Sequence, residues 1–301
     1  MNIVSQMCAI AVMLVIMYFY VSQKKIILHT SRAFVEVWIA GMLSLFFDIF
    51  SLVAIEKRDG YPLTAINIIC KLYLWMVTWV AMVAFWYICV DIFRKKELEC
   101  KWRKRLFIFG IITEILIMAV PIKIYDSNNI VYTYGPAVVI TYTVTVTLLG
   151  LILMLTKKYG QVINPRRRKS MQVWVALMFS AAVIQFINNK ILIVGFASMV
   201  GVLIIFIMLE NPMANIDRDT GFFNLNAFFE YMKEAYGQGK DVSIVCVRYG
   251  SNGNEVFSSK MEKSIFFEVV SFIKNIPDNY VFRSSANEYL LVFENTDCAE
   301  K

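Results

Sequence analysis

The chain has 301 residues, 58% of them hydrophobic, and a mean hydropathy of +0.59, which excludes an ordinary soluble protein and fits one that crosses a membrane several times. The net charge of +7 does not indicate a nucleic-acid partner, because the lysines and arginines lie between apolar runs rather than in a basic domain. Six cysteines without paired spacing read as free thiols, and a single histidine, His29, argues against zinc chemistry and a Ser-His-Asp triad.

Seven apolar runs, at residues 3–21, 34–55, 63–93, 106–124, 131–156, 173–187 and 191–209, are read as membrane spans, against about 30 Å of hydrocarbon and a rise of 1.5 Å per residue. No small-residue cleavage site follows the first, so it reads as a retained span rather than a signal peptide. Asn188-Asn189-Lys190 divides the last two runs, which read as two spans with a tight turn. The expectation is an all-α polytopic bundle over residues 1–210. The first, third and fifth loops carry sixteen lysines and arginines, and the other three carry four when Lys123 at the outer end of the fourth run is counted with them. That bias predicts an N-terminus outside and a C-terminus in the cytoplasm of a plasma-membrane protein. The basic runs RKKELECKWRKR and NPRRRKS read as topology anchors, or alternatively as a site for an inner-leaflet lipid or nucleotide.

Charges inside spans are costly unless paired or hydrated. Asp48 in the second run and Lys71 in the third both fall about 10–12 Å below the outer surface, so an ion pair between them is geometrically available. Such a pair would fix helix register or form the floor of a ligand pocket open to the outside. Glu114, in the fourth run, is expected to face a polar cavity with Gln185 or Asn188. Gly135-Pro136 should kink or open the fifth helix, with Tyr132, Tyr134 and Tyr142 in the interfacial aromatic belt. Tyr134-Gly135-Pro136 loosely resembles the entry to the fifth helix in the seven-helix sensor regions of bacterial histidine kinases and related signalling proteins. No inverted repeat or matched pair of broken helices suggests a transporter.

At Asn211-Pro212 the text turns soluble, since proline ends a helix and restrains the residue before it. Asn224 can cap a helix over 225–233. VSIVCVRY at 242–249 reads as a buried strand, 255–274 as a helix, and 280–284 with 287–294 as a hairpin around Ser285-Ala286. Residues 211–301 therefore form a mixed α/β unit in the order α, β, α, β, β.

These residues resemble the diguanylate cyclase, or GGDEF, family. The family's entry signature D-x-L-T-G-L-x-N-R-R-x-F is matched at Asp217, Thr220-Gly221, Asn224 and Phe228. The hairpin R-x-G-G-D-E-F falls on Arg283-Ser284-Ser285-Ala286-Asn287-Glu288-Tyr289. The resemblance implies two Mg²⁺ ions held by acidic groups of the first strand and the hairpin, which would activate a 3′-hydroxyl of GTP. Here Cys246 and Arg248 stand at the strand positions and Asn287 at the hairpin position. Ser285 and Ala286 replace the two glycines that let the backbone approach the guanine nucleotide. The inhibitory R-x-x-D would fall on Ile276 and Asn279 and is absent. Asn254 and Glu288 are candidate nucleotide contacts, with turn or core roles as the alternative. The 85 residues from Asp217 to Lys301 fall short of a full domain of this family, which implies a truncated domain, a fragment of a longer cyclase or phosphodiesterase, or a remnant that packs differently.

The expectation is a multi-pass membrane sensor with an incomplete, degenerate GGDEF-like domain, tied to cyclic di-GMP signalling without catalysis and without a cofactor. Its partners would be the bilayer, a small ligand at the membrane domain, and a second copy or a cytoplasmic signalling protein. The alternatives are an active diguanylate cyclase, which would use Mg²⁺, and a transporter with a cytoplasmic tail.

Overall fold

The computed structural model describes residues 3–92, 96–127, 130–161, 163–187, 193–250 and 259–294. It divides into a helical unit, Met1–Ser22 with His29–Asn211, and an α/β unit, Gln23–Leu28 with Pro212–Lys301.

The helical unit contains α1 (Val4–Ser22), α2 (His29–Glu56), α3 (Leu63–Ile92), α4 (Lys96–Ala119), α5 (Pro136–Lys158), α6 (Pro165–Ile187) and α7 (Val194–Ile205). Among the described residues, five helical stretches are long and apolar enough to cross a membrane: Val4–Ser22, His29–Glu56, Leu63–Val90, Pro136–Lys158 and Val194–Asn215. Helices α4 and α6 each begin in a basic run. Phe34, Tyr87, Trp174 and Val202 are fully buried within the bundle. Large apolar side chains also face outward, among them Leu14, Ile112, Ile115, Val139 and Met154. An exterior of this kind is unusual where water is the solvent.

Strands take up part of the fourth and fifth expected spans. The helix of the fourth run ends at Ala119, just before Pro121, and Ile124 belongs to strand β1 (Lys123–Ser127). Strand β1 pairs antiparallel with β2 (Ile130–Tyr134), so Tyr132 and Tyr134 lie in a hairpin rather than in the fifth helix. Gly135 caps α5 at φ +116, a backbone conformation that favours glycine, and Pro136 takes the first helical position. There its fixed φ and missing N–H cost nothing. At the other end of the unit, α7 widens into a π-turn over Phe206–Glu210. Asn211 is extended before Pro212 (φ −68, ψ 109), as the residue before a proline should be.

The α/β unit has α8 (Leu225–Gln238) and α9 (Ser259–Lys274) with strands β3 (Phe223–Asn224), β4 (Ser243–Arg248), β5 (Tyr280–Ser285) and β6 (Glu288–Phe293). The strand order is β3-β5-β6-β4. Strand β6 runs antiparallel to both β5 and β4. Strands β4 and β5 are therefore parallel, linked through α9 with β6 inserted between them, a split β-α-β unit. Successive residues of a strand face opposite sides. Phe223, Phe282 and Val292 pack with Ala227, Tyr231 and Ala235 of α8, while Phe222, Val281 and Leu291 pack with Val270 and Ile273 of α9. The sheet is thus a middle layer between two helices.

Asn224 caps α8 by accepting a hydrogen bond from the Ala227 N–H at 3.0 Å. The helix runs past the expected 233 and stops at Gly239 in the left-handed conformation (φ +65). The connector between α1 and α2 also belongs to this unit. Ile26 is buried with Phe223 and Tyr231, and the Lys24 ammonium lies 5.1 Å from the Phe223 ring centroid. Burial there, helped by the charge of Lys274, lowers the Lys24 pKa.

Candidate functional site

A cavity of about 510 Å³ lies inside the helical unit, lined by residues of α2, α3, α5 and α6 and by the β2–α5 junction at Thr133–Gly135. Its volume falls in the range of sites that take small organic ligands. Asp48 contributes to its wall and is 4% exposed. Gln6 Nε2 donates to Asp48 Oδ2 at 3.1 Å, and Gly195 leaves room beside the same oxygen. Gln185 lines the wall as well, its Oε1 accepting from the Ile193 and Val194 N–H groups at 3.1 and 3.2 Å.

The expected Asp48–Lys71 ion pair is not formed. Lys71 Nζ donates instead to the Met118 carbonyl at the end of α4, at 2.7 Å, where the last carbonyls of a helix lack partners. Equal depth on consecutive helices did not settle the matter, because depth leaves the rotation of each helix free. Of the expected partners of Glu114, Gln185 belongs to the cavity, whereas half-exposed Glu114 is not part of its lining. Asn188 lies outside the described residues.

A second polar cluster closes the far end of the same unit. Glu210, in the π-turn, is 8% exposed. Tyr87 OH donates to its Oε1 at 2.8 Å and Ser31 Oγ to its Oε2 at 3.2 Å. Arg167 Nη2 approaches Oε1 to 3.6 Å, and its guanidinium lies 4.9 Å from the Tyr87 ring centroid. One residue from the end of the helical unit thus joins α2, α3 and α6. Sequence reading passed over Glu210 because it stood at the end of an apolar run. Arg167 was read only as part of a basic loop.

In the α/β unit the entry signature builds a turn. Thr220 N and Oγ1 both donate to Asp217 Oδ1, at 3.0 and 2.7 Å, and Gly221 takes φ +71. Arg283 of the hairpin strand donates from Nη1 to both Asp217 oxygens, at 2.9 and 3.1 Å, and to Asp219 Oδ2 at 2.8 Å. Burial alone would raise the Asp217 pKa, but the hydrogen bonds from Thr220 and Arg283 hold it below the usual carboxylate value. The segments around Asp217 and Arg283 therefore meet through a salt bridge.

The hairpin turns at Ala286-Asn287, one residue later than expected, after a bulge between Arg283 and Ser285. Ser285, Ala286 and Asn287 are exposed, and the Asn287 carbonyl accepts from the Tyr249 N–H at 3.1 Å. Glu288 accepts from Ser284 Oγ at 2.9 Å. Tyr289 is fully buried against Phe222 and stacked on Tyr249. Cys246 is exposed on β4, and Arg248 stands opposite Glu288 in the β4–β6 register.

This donor set does not fit Mg²⁺, which takes oxygen ligands and prefers anionic ones. Cys246 offers a soft sulfur, Asn287 a neutral amide, and Arg248 a positive charge across from the only carboxylate among the hairpin residues 285–289. Asn254 lies outside the described residues. No protein-family model matches the chain, and no curated protein is significantly similar to it.

Proposed function

We propose that the protein is an integral membrane receptor, with a helical unit of seven spans and a cytoplasmic α/β unit that relays a signal without catalysis. The α/β unit is read as a degenerate GGDEF-like domain, and its output as a changed placement of a second copy or of a cytoplasmic partner in cyclic di-GMP signalling. The observation that carries this reading is the path of the chain. Residues Gln23–Leu28, between α1 and α2, are built into the α/β unit, and the chain enters that unit again at Pro212 after α7. A rearrangement of α1, α2 or α7 is thereby tied covalently to the α/β unit at three points of the sequence.

The cavity with Asp48 supports a ligand site in the helical unit. The split β-α-β topology, and the meeting of Asp217 with Arg283, support the GGDEF-like reading. Helices α4 and α6 are read as the fourth and sixth spans, which with the five apolar stretches make seven, and the loop charge bias supports a cytoplasmic C-terminus.

Turnover of GTP tests the non-catalytic part. The purified chain with Mg²⁺ or Mn²⁺ is expected to form no cyclic di-GMP above a no-protein control. Two-metal phosphoryl transfer needs anionic ligands that hold both ions in line with the reacting oxygens. Turnover that disappears in Glu288→Gln would show a catalytic site and overturn the reading.

A further inference from the structure

We propose that the cavity beside Asp48 binds a compact organic cation, with an ammonium group at the Asp48 carboxylate and an apolar body along Leu52, Val138 and Leu149. The proposal rests on the receptor reading and names the ligand class of its site. Three observations lead to it.

The first is charge. Asp48 is the one charged side chain among the described residues lining the cavity. It is 4% exposed, and its hydrogen bond comes from a neutral amide, Gln6. Lys71, the counter-ion expected from its matching depth, is turned to the Met118 carbonyl. A carboxylate in so apolar a setting is stabilised by a cation that enters with its own hydrogen-bond donors.

The second is an unused polar group. Along α5, Thr141, Thr143 and Thr147 each donate to the carbonyl four residues earlier in their own helix. Thr145 lies on the cavity wall and is 6% exposed, yet its hydroxyl has no hydrogen-bond partner. Buried hydroxyls are rarely left so, and a ligand in the cavity would supply what the helix does not.

The third is size. A metal ion or a proton would leave most of 510 Å³ empty, whereas an amine with a ring or short chain would fill it. The Tyr73 and Tyr142 rings line the wall, and aromatic faces attract ammonium groups.

The test is saturable binding to the purified full chain at constant pH, read by calorimetry. The probes are cyclohexylammonium and phenethylammonium, each beside an uncharged isostere of the same shape. At least one ammonium probe is expected to bind roughly tenfold to a hundredfold more tightly than its isostere. Asp48→Asn should erase that preference, while Glu114→Gln, outside the cavity, should keep it. If Asp48→Asn is not recovered folded, the comparison of ammonium with isostere on the unaltered chain decides by itself. Equal binding of isosteres and ammonium probes overturns the cationic ligand class. So does the absence of saturable binding by every ammonium probe up to about 10 mM. Neither outcome touches membrane topology or GTP turnover, the measurements that decide the receptor reading.

Discussion

Glu210→Ala is expected to lower the stability of the helical unit by about 3–5 kcal/mol, because it removes a buried carboxylate that accepts from Tyr87 and Ser31 and pairs with a buried guanidinium. Arg167 is 8% exposed and lies 3.6 Å from the Glu210 carboxylate. Glu210→Gln should lose less, since a neutral amide oxygen still accepts from the Tyr87 hydroxyl. The double change with Arg167→Met should recover a large part of the loss, as removing both charges restores a neutral interior. Thermal unfolding of the unaltered chain, Glu210→Ala, Arg167→Met and the double variant in one detergent closes the cycle. Strictly additive losses would show that the two residues act independently, and the cluster would then not be a joint between α3, α6 and the end of α7.

Gly201→Val is expected to cost about 3 kcal/mol or more and to lower the folded yield. A Cβ built at residue 201 would overlap the Cδ1–Nε1 edge of the Trp174 indole, the largest fully buried side chain among the described residues. The conflict is with a rigid ring in a packed core rather than with the end of a flexible chain, so relief requires moving α6 from α7. Overpacking of that kind lies at the upper end of the usual range. Trp174→Ala alone should also destabilise, by about 3–5 kcal/mol, through the cavity it leaves. Combining it with Gly201→Val should be less harmful than the sum of the two. Thermal unfolding in detergent again provides the reading, and a Gly201→Val protein as stable as the original would contradict the described α6–α7 packing.

The long helices were legible because sustained apolar runs have few alternatives. Helix ends were read less well. Ile122, Ile124 and Tyr132 are as apolar or aromatic as a span requires, and only Pro121 and Gly135, which break helices, signalled that this stretch leaves the helices for a hairpin. Periodicity served the α/β unit better. The cap at Asn224 and the alternation of Val281, Phe282, Leu291 and Val292 between two faces follow from short-range rules. The packing of Ile26 with Phe223 had no such signal, since nearly two hundred residues separate them.

For the site, Asp48 was recognised from its cost in an apolar run, but its partner was not. The choice between Lys71 and Gln6 depends on helix rotation and on α1 lying beside α2 and α7. Thr145 could not be singled out among the threonines of TYTVTVT, because what distinguishes it is a hydrogen bond that its neighbours make and it does not.

The proposed receptor carries its α/β unit on the cytoplasmic side of the membrane. Reporter fusions that distinguish the two sides of the membrane test it most directly, placed after Lys301, within residues 94–105, and at Asp59. The account predicts cytoplasmic signal from the first two and external signal from Asp59, following the sixteen-to-four bias of basic residues between alternate loops. External signal from residues 94–105, or from the C-terminal fusion, would contradict it.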